Sequence, residues 1–514
     1  MAAHLTGRRL NLVFVGLLVG NTMAGMDATI VATAGLRIQK DLGSVGSLSS
    51  IFTAYQLAQI ATMPLYGKLG DLYGRRRIFA IAVATFLVGS ALCGAAPSLG
   101  FLVFARVVQG VGAGGLTGLT MAIVADIVPA ERLGRYLGYT GLVFAVTSVL
   151  GPVVGGLFAD GPSWRWAFYV NLPSGAICFV ALASVPKVAG RIAHRIDLLG
   201  ALLLATIATC VTLVASWGGR TADWGSWTIV RLALLGVVAL AGFVAWERRS
   251  AEPILPGRIF HQREVGLAVL ANFVAGIGFF GGIVYLPVFF QAVAGRTATD
   301  AGRLLIPFAF ATAMGTVIVG QAVERVGRGV RAFPIAGMAA MAAGFAMLST
   351  VEPSLSVGAA MGYGALVGIG IGFVMQVLLY VVQRTADARD LGAATAVTVL
   401  ARIAGSVVGV ALAGNVLNQR LASALAARGS SVVAAALQGD AASIAALAEP
   451  GRTQVIEAFA AALGSTFRVF VPVMLVGLVL VLALPRDLDA RVRPKLPEPP
   501  DPPDAGEPAQ ARTR

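Results

Sequence analysis

Apolar stretches of about 20 residues, separated by short polar or charged segments, recur along almost the whole chain. A stretch of that length lets an α-helix cross the hydrocarbon core of a bilayer. The pattern predicts an all-α integral membrane protein with about fourteen transmembrane helices. The predicted spans are 10–33, 49–67, 78–96, 99–125, 136–159, 167–186, 197–216, 228–246, 265–290, 302–323, 332–350, 357–382, 392–415 and 467–485.

The composition is also typical of an integral membrane protein. Of the 514 residues, 57% are hydrophobic and only 12% are charged, whereas a soluble domain carries roughly 25% charged residues. A net charge of +14 is compatible with nucleic-acid binding, but no polar segment is large enough to form a binding domain. The arginines lie at the ends of apolar runs, where lipid phosphates and the cytoplasm meet the protein. We therefore expect the bilayer as a partner, and no nucleic acid.

The residue types that catalysis or metal binding requires are missing from the necessary patterns. Cys93, Cys178 and Cys210 all lie inside apolar runs, as small buried hydrophobic residues do. The three histidines and three cysteines show no metal-ligand spacing. No nucleophile elbow, Walker loop or zincin helix is present. We expect no enzyme activity, no metal, no cofactor and no ATP-driven pumping by this chain alone.

The basic residues concentrate in alternate loops, as in 75–77, 248–249 and 325–331. The positive-inside rule then places both termini in the cytoplasm and favours an even number of spans in a cell membrane. The first apolar run, Leu10 to Ile30, exceeds the core of a signal peptide and is interpreted as an uncleaved span.

One charged hairpin, Gly67–Arg77, joins the second and third spans and combines an acid, glycines and an arginine cluster. Its simplest interpretation is a basic topology anchor. However, the same spacing returns about 253 residues later, in an equivalent loop. The paired positions are Gly67, Asp71, Gly74 and Arg75 in the first copy, and Gly320, Glu324, Gly327 and Arg328 in the second. Two halves of parallel topology suggest a secondary transporter with its substrate site between them.

The hairpin, with its Gly-x-Leu-x-Asp-x-x-Gly-Arg-Arg pattern, resembles the signature loop of the major facilitator superfamily. Four further segments resemble its drug:proton antiporter branch of fourteen helices: Met26–Val31, Leu102–Gly110, Gly151–Gly156 and Trp164–Pro173. The resemblance implies two pseudo-symmetric six-helix bundles plus two extra central helices. The implied units are a cytoplasmic N-terminus (1–9), an N-terminal bundle (10–186), two linker helices (197–246), a C-terminal bundle (265–485) with a long outer loop (418–465), and a disordered cytoplasmic tail (486–514).

The resemblance also implies a function. We expect a monomeric exporter of amphipathic, cationic or lipophilic drugs that exchanges them for protons by alternating access, with the proton gradient as its energy source. An exporter of an endogenous lipid, siderophore or secondary metabolite is the alternative, and a non-transporting receptor or enzyme is a distant one. Ala32 and Ser50 depart from the branch pattern and leave the cargo open.

Asp27 and Arg106 are the charged residues that the pattern places well inside spans of the first half. An ionisable group in hydrocarbon is costly and is by default a functional candidate. Gln109 lies one turn beyond Arg106 on the same helix face. The resemblance implies proton and substrate coupling by Asp27, Arg106 and Gln109. The alternatives are an Asp27 that snorkels from partial burial to the outer surface, and an Arg106 that only ties helices together.

Three further groups of residues are predicted to act. A conformational latch comprises Gly67, Asp71, Gly74, Arg75 and Arg76, with the arginines pairing to Asp126 or Glu131 across the halves. A seam of the antiporter helix comprises Gly151, Pro152, Gly155 and Gly156, for which ordinary tight packing is the alternative. Residues that could line a cavity, or else only join helices, are Tyr55, Gln56, Gln59, Asn272, Phe279, Gln291 and Gln376.

Overall fold

The structure, a computed structural model, is helical throughout its regular elements. It describes residues 8–42, 48–127, 150–183, 197–217, 225–250, 262–326, 330–385, 391–425 and 444–485, together with the single positions 147, 222, 257 and 259. Arg328, Glu131 and the predicted tail lie outside the described residues, as does the predicted N-terminal segment apart from residues 8 and 9.

The first half of the chain contributes seven described helices. They are α1 (Arg8–Leu42), α2 (Leu48–Tyr73), α3 (Arg75–Gly94), α4 (Leu99–Ile127), α5 (Leu150–Asp160), α6 (Trp166–Tyr169) and α7 (Asn171–Ala183). Two helices follow as a hairpin, α8 (Leu198–Trp217) and α9 (Trp227–Glu247). The second half contains α10 (Arg263–Val288), a π-helix (Phe289–Val293), α11 (Ala298–Leu304), α12 (Ile306–Val326), α13 (Ala332–Leu348), α14 (Val357–Thr385), α15 (Leu391–Leu425) and α16 (Gly451–Leu482).

Every predicted span coincides, wholly or in part, with one of these helices. Nine helices of the described residues are long and apolar enough to cross a membrane, and several shorter apolar helices accompany them. The boundaries of the predicted outer loop, 418–465, need correction. Helix α15 continues to Leu425 and α16 already begins at Gly451, so helix replaces loop at both ends of that segment.

The helices pack as two groups. In the first half, α4 packs against both α2 and α3, and α1 packs against α7. In the second half, α14 packs against both α12 and α13, and α10 packs against α15. Within each half a long helix is thus flanked by two others, which gives the halves corresponding cores.

The α8–α9 hairpin lies against α2 and α15, one helix from each half. Its start is fixed by Asp197, whose Oδ1 accepts hydrogen bonds from the backbone N–H of Gly200 at 2.8 Å and from Nε1 of Trp246 at 2.6 Å. The outward side of α9 is apolar and uncovered, with Leu234 61% and Val237 63% exposed. Such a face is typical of a helix that contacts lipid.

We call the contact surface between the halves the half interface. Phe52 of α2 packs against Phe280 of α10 with ring centres 4.8 Å apart. Further along α2, Met63 belongs to an apolar cluster with Ile403 and Val407 of α15. The two ends of the bundle are named after their positive-φ glycines: Gly74, between α2 and α3, and Gly295, just before α11.

Candidate functional site

Five polar residues from four helices meet in the interior of the first half. Asp27 lies on α1, Ser90 on α3, Arg106 and Gln109 on α4, and Asn171 at the start of α7. None of them is more than 1% exposed. Arg106 and Gln109 share a helix face because they are three residues apart. We call this group the Asp27 cluster.

The centre of the cluster is an ion pair between Arg106 and Asp27. Nη1 of Arg106 donates to Oδ2 of Asp27, and also to Oε1 of Gln109 at 2.7 Å. Its Nε donates to the backbone carbonyl of Ile51 at 3.3 Å. The guanidinium carbon lies 4.1 Å from the centre of the Tyr55 ring, whose face attracts a cation. Protein groups therefore surround the arginine, and of its three nitrogens only Nη2 has no hydrogen-bond partner in the described part of the chain.

The second carboxylate oxygen, Oδ1 of Asp27, accepts two amide donors. Nε2 of Gln109 lies 2.7 Å away and Nδ2 of Asn171 lies 3.2 Å away. The same two nitrogens also donate to Oγ of Ser90, at 2.7 Å and 3.1 Å. Charge-assisted hydrogen bonds of this kind stabilise an ionised carboxylate. A proton that binds Asp27 must therefore disrupt part of the cluster.

The structure brings together the three residues that the sequence assigns to coupling. The side chain of Asp27 is fully enclosed rather than partly buried, which excludes the alternative in which it snorkels to the outer surface. The sequence prediction missed Ser90 and Asn171. Asn171 does lie in the Trp164–Pro173 segment, and that position was the available signal. An isolated serine in an apolar run gives none.

The Gly67–Arg77 hairpin turns at one residue. Helix α2 continues to Tyr73, Gly74 has φ 90°, and α3 begins at Arg75. Only glycine adopts that φ at no steric cost. Gly67, the first residue of the predicted hairpin, instead lies inside α2, and no described atom beyond its chain neighbours and the helix's own backbone comes within 4 Å of the position that a Cβ would take.

The remaining latch residues are only partly described. Arg76 follows Arg75 in the first turn of α3, whereas the side chains of Asp71 and Asp126 lie outside the described residues. In the second copy, Gly320 lies inside α12, and the side chain of Glu324 and all of Gly327 fall outside the description. The pairing predicted for the latch stays a prediction.

The small residues of α5 face two other helices. A Cβ on Gly151 would meet Thr29 of α1, and a Cβ on Gly155 would meet Thr33 of the same helix. Oγ1 of Thr33 donates to the carbonyl of Pro152 at 2.9 Å, which ties α1 to α5. Close approach of two helices requires this absence of side chains.

On its other side, α5 contacts α11 of the second half. A Cβ on Gly156 would meet backbone atoms of Ala298 and Thr299, and a Cβ on Gly302 would meet the backbone of Pro152. Asp160, the last residue of α5, accepts hydrogen bonds from the N–H groups of Ala298 at 3.3 Å and Thr299 at 2.6 Å. The glycine surface of α5 therefore continues into the half interface at the Gly295 end.

The candidate cavity residues divide into two groups. The Tyr55 ring packs against the guanidinium of Arg106, next to the Asp27 cluster. Gln59 donates to Oγ1 of Thr117 within the first half at 3.0 Å, and Phe279 packs against other phenylalanines. The other four lie at the half interface (Gln56), on α10 (Asn272), in the π-helix (Gln291) and on α14 (Gln376). Gln56 crosses the interface, where its Nε2 donates to Oγ of Ser406 at 3.2 Å.

The sequence profile of the Major Facilitator Superfamily matches residues 17–410. The chain belongs to this superfamily. The predicted family, the all-helical membrane fold and the absence of enzyme activity are thereby confirmed. The protein is a multi-pass membrane transporter.

Curated relatives of the transporter include two proteins named for multidrug transport or multidrug resistance. An uncharacterized superfamily transporter of Mycobacterium tuberculosis is 37% identical over 481 residues, which is 93% of this chain and 69% of the relative. Multidrug resistance protein 3 of Bacillus subtilis is 35% identical over 407 residues, or 79% of each chain. The multidrug transporter MdtP of the same organism is 32% identical over 412 residues, covering 80% and 75%.

Solved structures share the fold of the transporter. A bacterial homologue of the human lysosomal transporter Spinster, in an inward-facing and occupied conformation, matches with a TM-score of 0.64 at 15% identity. The match covers 95% of this chain and 98% of the solved chain. At this identity the likeness concerns architecture alone.

Proposed function

We propose that the transporter exports amphipathic, cationic or lipophilic compounds in exchange for protons, by alternating access. The observation that carries the proposal is the buried Asp27–Arg106 pair with its amide donors. A carboxylate enclosed in the protein interior can exchange a proton only when the surrounding helices move. Multidrug exporters among the relatives support the choice of cargo.

The coupling step follows from the hydrogen bonds of the cluster. In the ionised state Asp27 accepts from Arg106, Gln109 and Asn171. Protonation removes the negative charge and leaves the buried guanidinium without its counter-charge, which costs several kcal/mol in a dry interior. We infer that this cost shifts the equilibrium towards a conformation that hydrates Arg106 and opens the other side.

We further propose a cell-membrane location, cytoplasmic termini, a monomer, and the proton gradient rather than a cofactor as the energy source. The positive-inside pattern supports this orientation, and it puts the Gly74 end in the cytoplasm. The contact of Asp160 with Ala298 and Thr299 then joins the halves at the outer end. We infer that the described conformation is closed to the outside.

The test is transport of a fluorescent lipophilic cation, ethidium, by everted membrane vesicles with an imposed pH gradient. The wild type should accumulate ethidium, a protonophore should abolish accumulation, and Asp27→Asn should reduce the rate to background. The matched control is Asp300→Asn, an exposed carboxylate on α11, which should transport normally. Full-rate, gradient-driven export by Asp27→Asn would refute the assignment.

A second cargo class has specific support. One relative, 33% identical over 430 residues, is a transporter of the acurin A biosynthesis cluster of Aspergillus aculeatus. Export of an endogenous secondary metabolite is therefore the alternative. Comparing the metabolites exported by a deletion strain and its complemented parent separates the two cargo classes.

A further inference from the structure

Every described hydrogen bond to the Asp27 carboxylate comes from a donor. Oδ2 accepts from Nη1 of Arg106, and Oδ1 accepts from Nε2 of Gln109 at 2.7 Å and from Nδ2 of Asn171 at 3.2 Å. Guanidinium and amide nitrogens donate and do not accept. A protonated carboxyl group adds one O–H donor, and a buried donor without an acceptor is costly. Proton uptake by Asp27 therefore requires that one neighbour present an oxygen in place of a nitrogen.

Gln109 cannot make this exchange. Its Oε1 accepts from Nη1 of Arg106 at 2.7 Å and from Sγ of Cys93 at 3.4 Å. Half a turn of the amide would place its NH2 group against the guanidinium, and two donors would then face each other. While Arg106 stays in the cluster, Gln109 is therefore a donor to Asp27 in both protonation states.

Asn171, the first residue of α7, is not restrained in this way. Its Nδ2 donates to Oδ1 of Asp27 and to Oγ of Ser90, whereas its Oδ1 has no hydrogen bond to a described residue. Half a turn of the amide exchanges the two atoms and breaks no other hydrogen bond within the described part of the chain. The terminal torsion of asparagine is broad and roughly two-fold, so this rotation requires no movement of the helix.

Ser90 provides the second partner for a rotated amide. Its Oγ accepts from Nε2 of Gln109 at 2.7 Å and from Nδ2 of Asn171 at 3.1 Å, and its own O–H donates to no described residue. After rotation, Oδ1 of Asn171 would lie 3.1 Å from Oγ of Ser90 and 3.2 Å from Oδ1 of Asp27, a few tenths of an ångström from ordinary O–H···O lengths. It could then accept the serine O–H and the O–H of the protonated carboxyl group together.

The other titratable side chains around the ion pair already donate elsewhere. Oη of Tyr55, on α2, donates to a backbone carbonyl of α1 at 2.9 Å, and the thiol of Cys93, on α3, donates to an amide of the cluster at 3.4 Å. The charged group that faces Asp27 is Arg106, which has no acceptor. Among the described side chains that hydrogen-bond to Asp27, only Asn171 can therefore present an oxygen to a bound proton.

We propose that the side-chain amide of Asn171 rotates when Asp27 takes up its proton, so that Oδ1 of Asn171 accepts the new O–H. The proton forms an O–H bond at Oδ1 of Asp27, and Asn171 changes from a donor to an acceptor. The inference rests on the proposed proton coupling and assigns to Asn171 the task of holding the protonated state. Asp27 then keeps hydrogen-bonded neighbours after it has lost its attraction for Arg106.

The test is infrared difference spectroscopy, between alkaline and acidic buffer, of the purified, detergent-solubilised transporter with asparagine isotope-labelled at its side-chain carbonyl carbon. In the wild type, acid should move one asparagine C=O band to lower frequency, because that oxygen gains two hydrogen bonds. The response should be absent from Asn171→Leu, which assigns the band, and from Asp27→Asn, which removes the proton site. The matched control is Asn415→Leu, which removes a buried asparagine of α15 in the second half and should leave the response unchanged.

Several results would overturn the rotation: no asparagine band that responds to acid in the wild type, a response that persists in Asn171→Leu or Asp27→Asn, or an equal loss in Asn415→Leu. If Asn171→Leu does not fold, Ser90→Ala provides the measurement, because loss of one of the two donors should make the downward shift smaller. The proposed function fails separately. The band response without gradient-driven ethidium export would retain the rotation and refute the export proposal, and the reverse result would do the opposite.

Discussion

Two variants of the Asp27–Arg106 pair, one single and one double, distinguish an effect on protein stability from an effect on proton-coupled export. Both side chains are 0% exposed. Removing one partner of a buried ion pair typically costs about 3–5 kcal/mol, because the remaining charge stays buried. Asp27→Asn should therefore destabilise the protein by that amount. The double variant Asp27→Asn/Arg106→Gln leaves no unpaired charge and should lose only about 1–2 kcal/mol from weakened hydrogen bonds.

Thermal unfolding of the purified proteins in detergent measures this order. The melting temperature should fall from the wild type to the double variant and then further to Asp27→Asn. Asp300→Asn again serves as a control, since its pair with Arg303 is 45% and 62% exposed and such pairs contribute about 0–1 kcal/mol. A double variant no more stable than Asp27→Asn would refute the charge argument. Neither cluster variant should export ethidium, so loss of coupling in the stable double variant cannot be attributed to misfolding.

Three further predictions test the other parts of the transporter. Gly156→Val inserts a side chain against the Ala298 backbone, so the Gly295 end should stay open and export should stop. A reporter cysteine placed at that end should then react with maleimide. A cysteine that is as protected from maleimide as in the wild type would contradict this prediction. Asn171→Leu removes a donor to Asp27 and should slow export about tenfold, on the scale of one charge-assisted hydrogen bond, whereas an unchanged rate in vesicles would assign Asn171 to packing. Asp71→Asn should abolish export without changing membrane insertion, whereas Glu324→Gln should reduce export less. Equal loss of export in the two variants would indicate that both hairpins are only topology anchors.

The sequence predicted the helices well because each apolar run must satisfy its own backbone hydrogen bonds in lipid. It failed at the ends of α15 and α16. The segment between Asn418 and Ser465 is rich in alanine, which is a strong helix former but contributes little hydropathy. Hydropathy therefore predicts an end of α15 that is too early and a start of α16 that is too late.

In the Asp27 cluster, the sequence pattern alone predicted only the charged residues. Asp27 and Arg106 stand out because ionised groups are rare inside spans, whereas Ser90 and Asn171 are ordinary polar residues. Gln56 and Gln59 show the limit of sequence patterns. They are three residues apart on α2, yet Gln59 bonds within its own half and Gln56 bonds across to the other. That difference depends on how neighbouring helices are rotated, which the sequence of one helix does not contain.

The hydrogen bonds of Asp160 bear on the rate at which the outer end opens. When α5 and α11 separate, the carboxylate and the two amides of Ala298 and Thr299 all pass into water, where each finds a new partner. Each hydrogen bond to the charged carboxylate contributes at most about 1.5–3 kcal/mol net, because water replaces most of it. Asp160 thus stabilises the closed state modestly and fixes the alignment of α5 with α11. The close glycine contacts of Gly156 and Gly302 add van der Waals contacts that water does not replace.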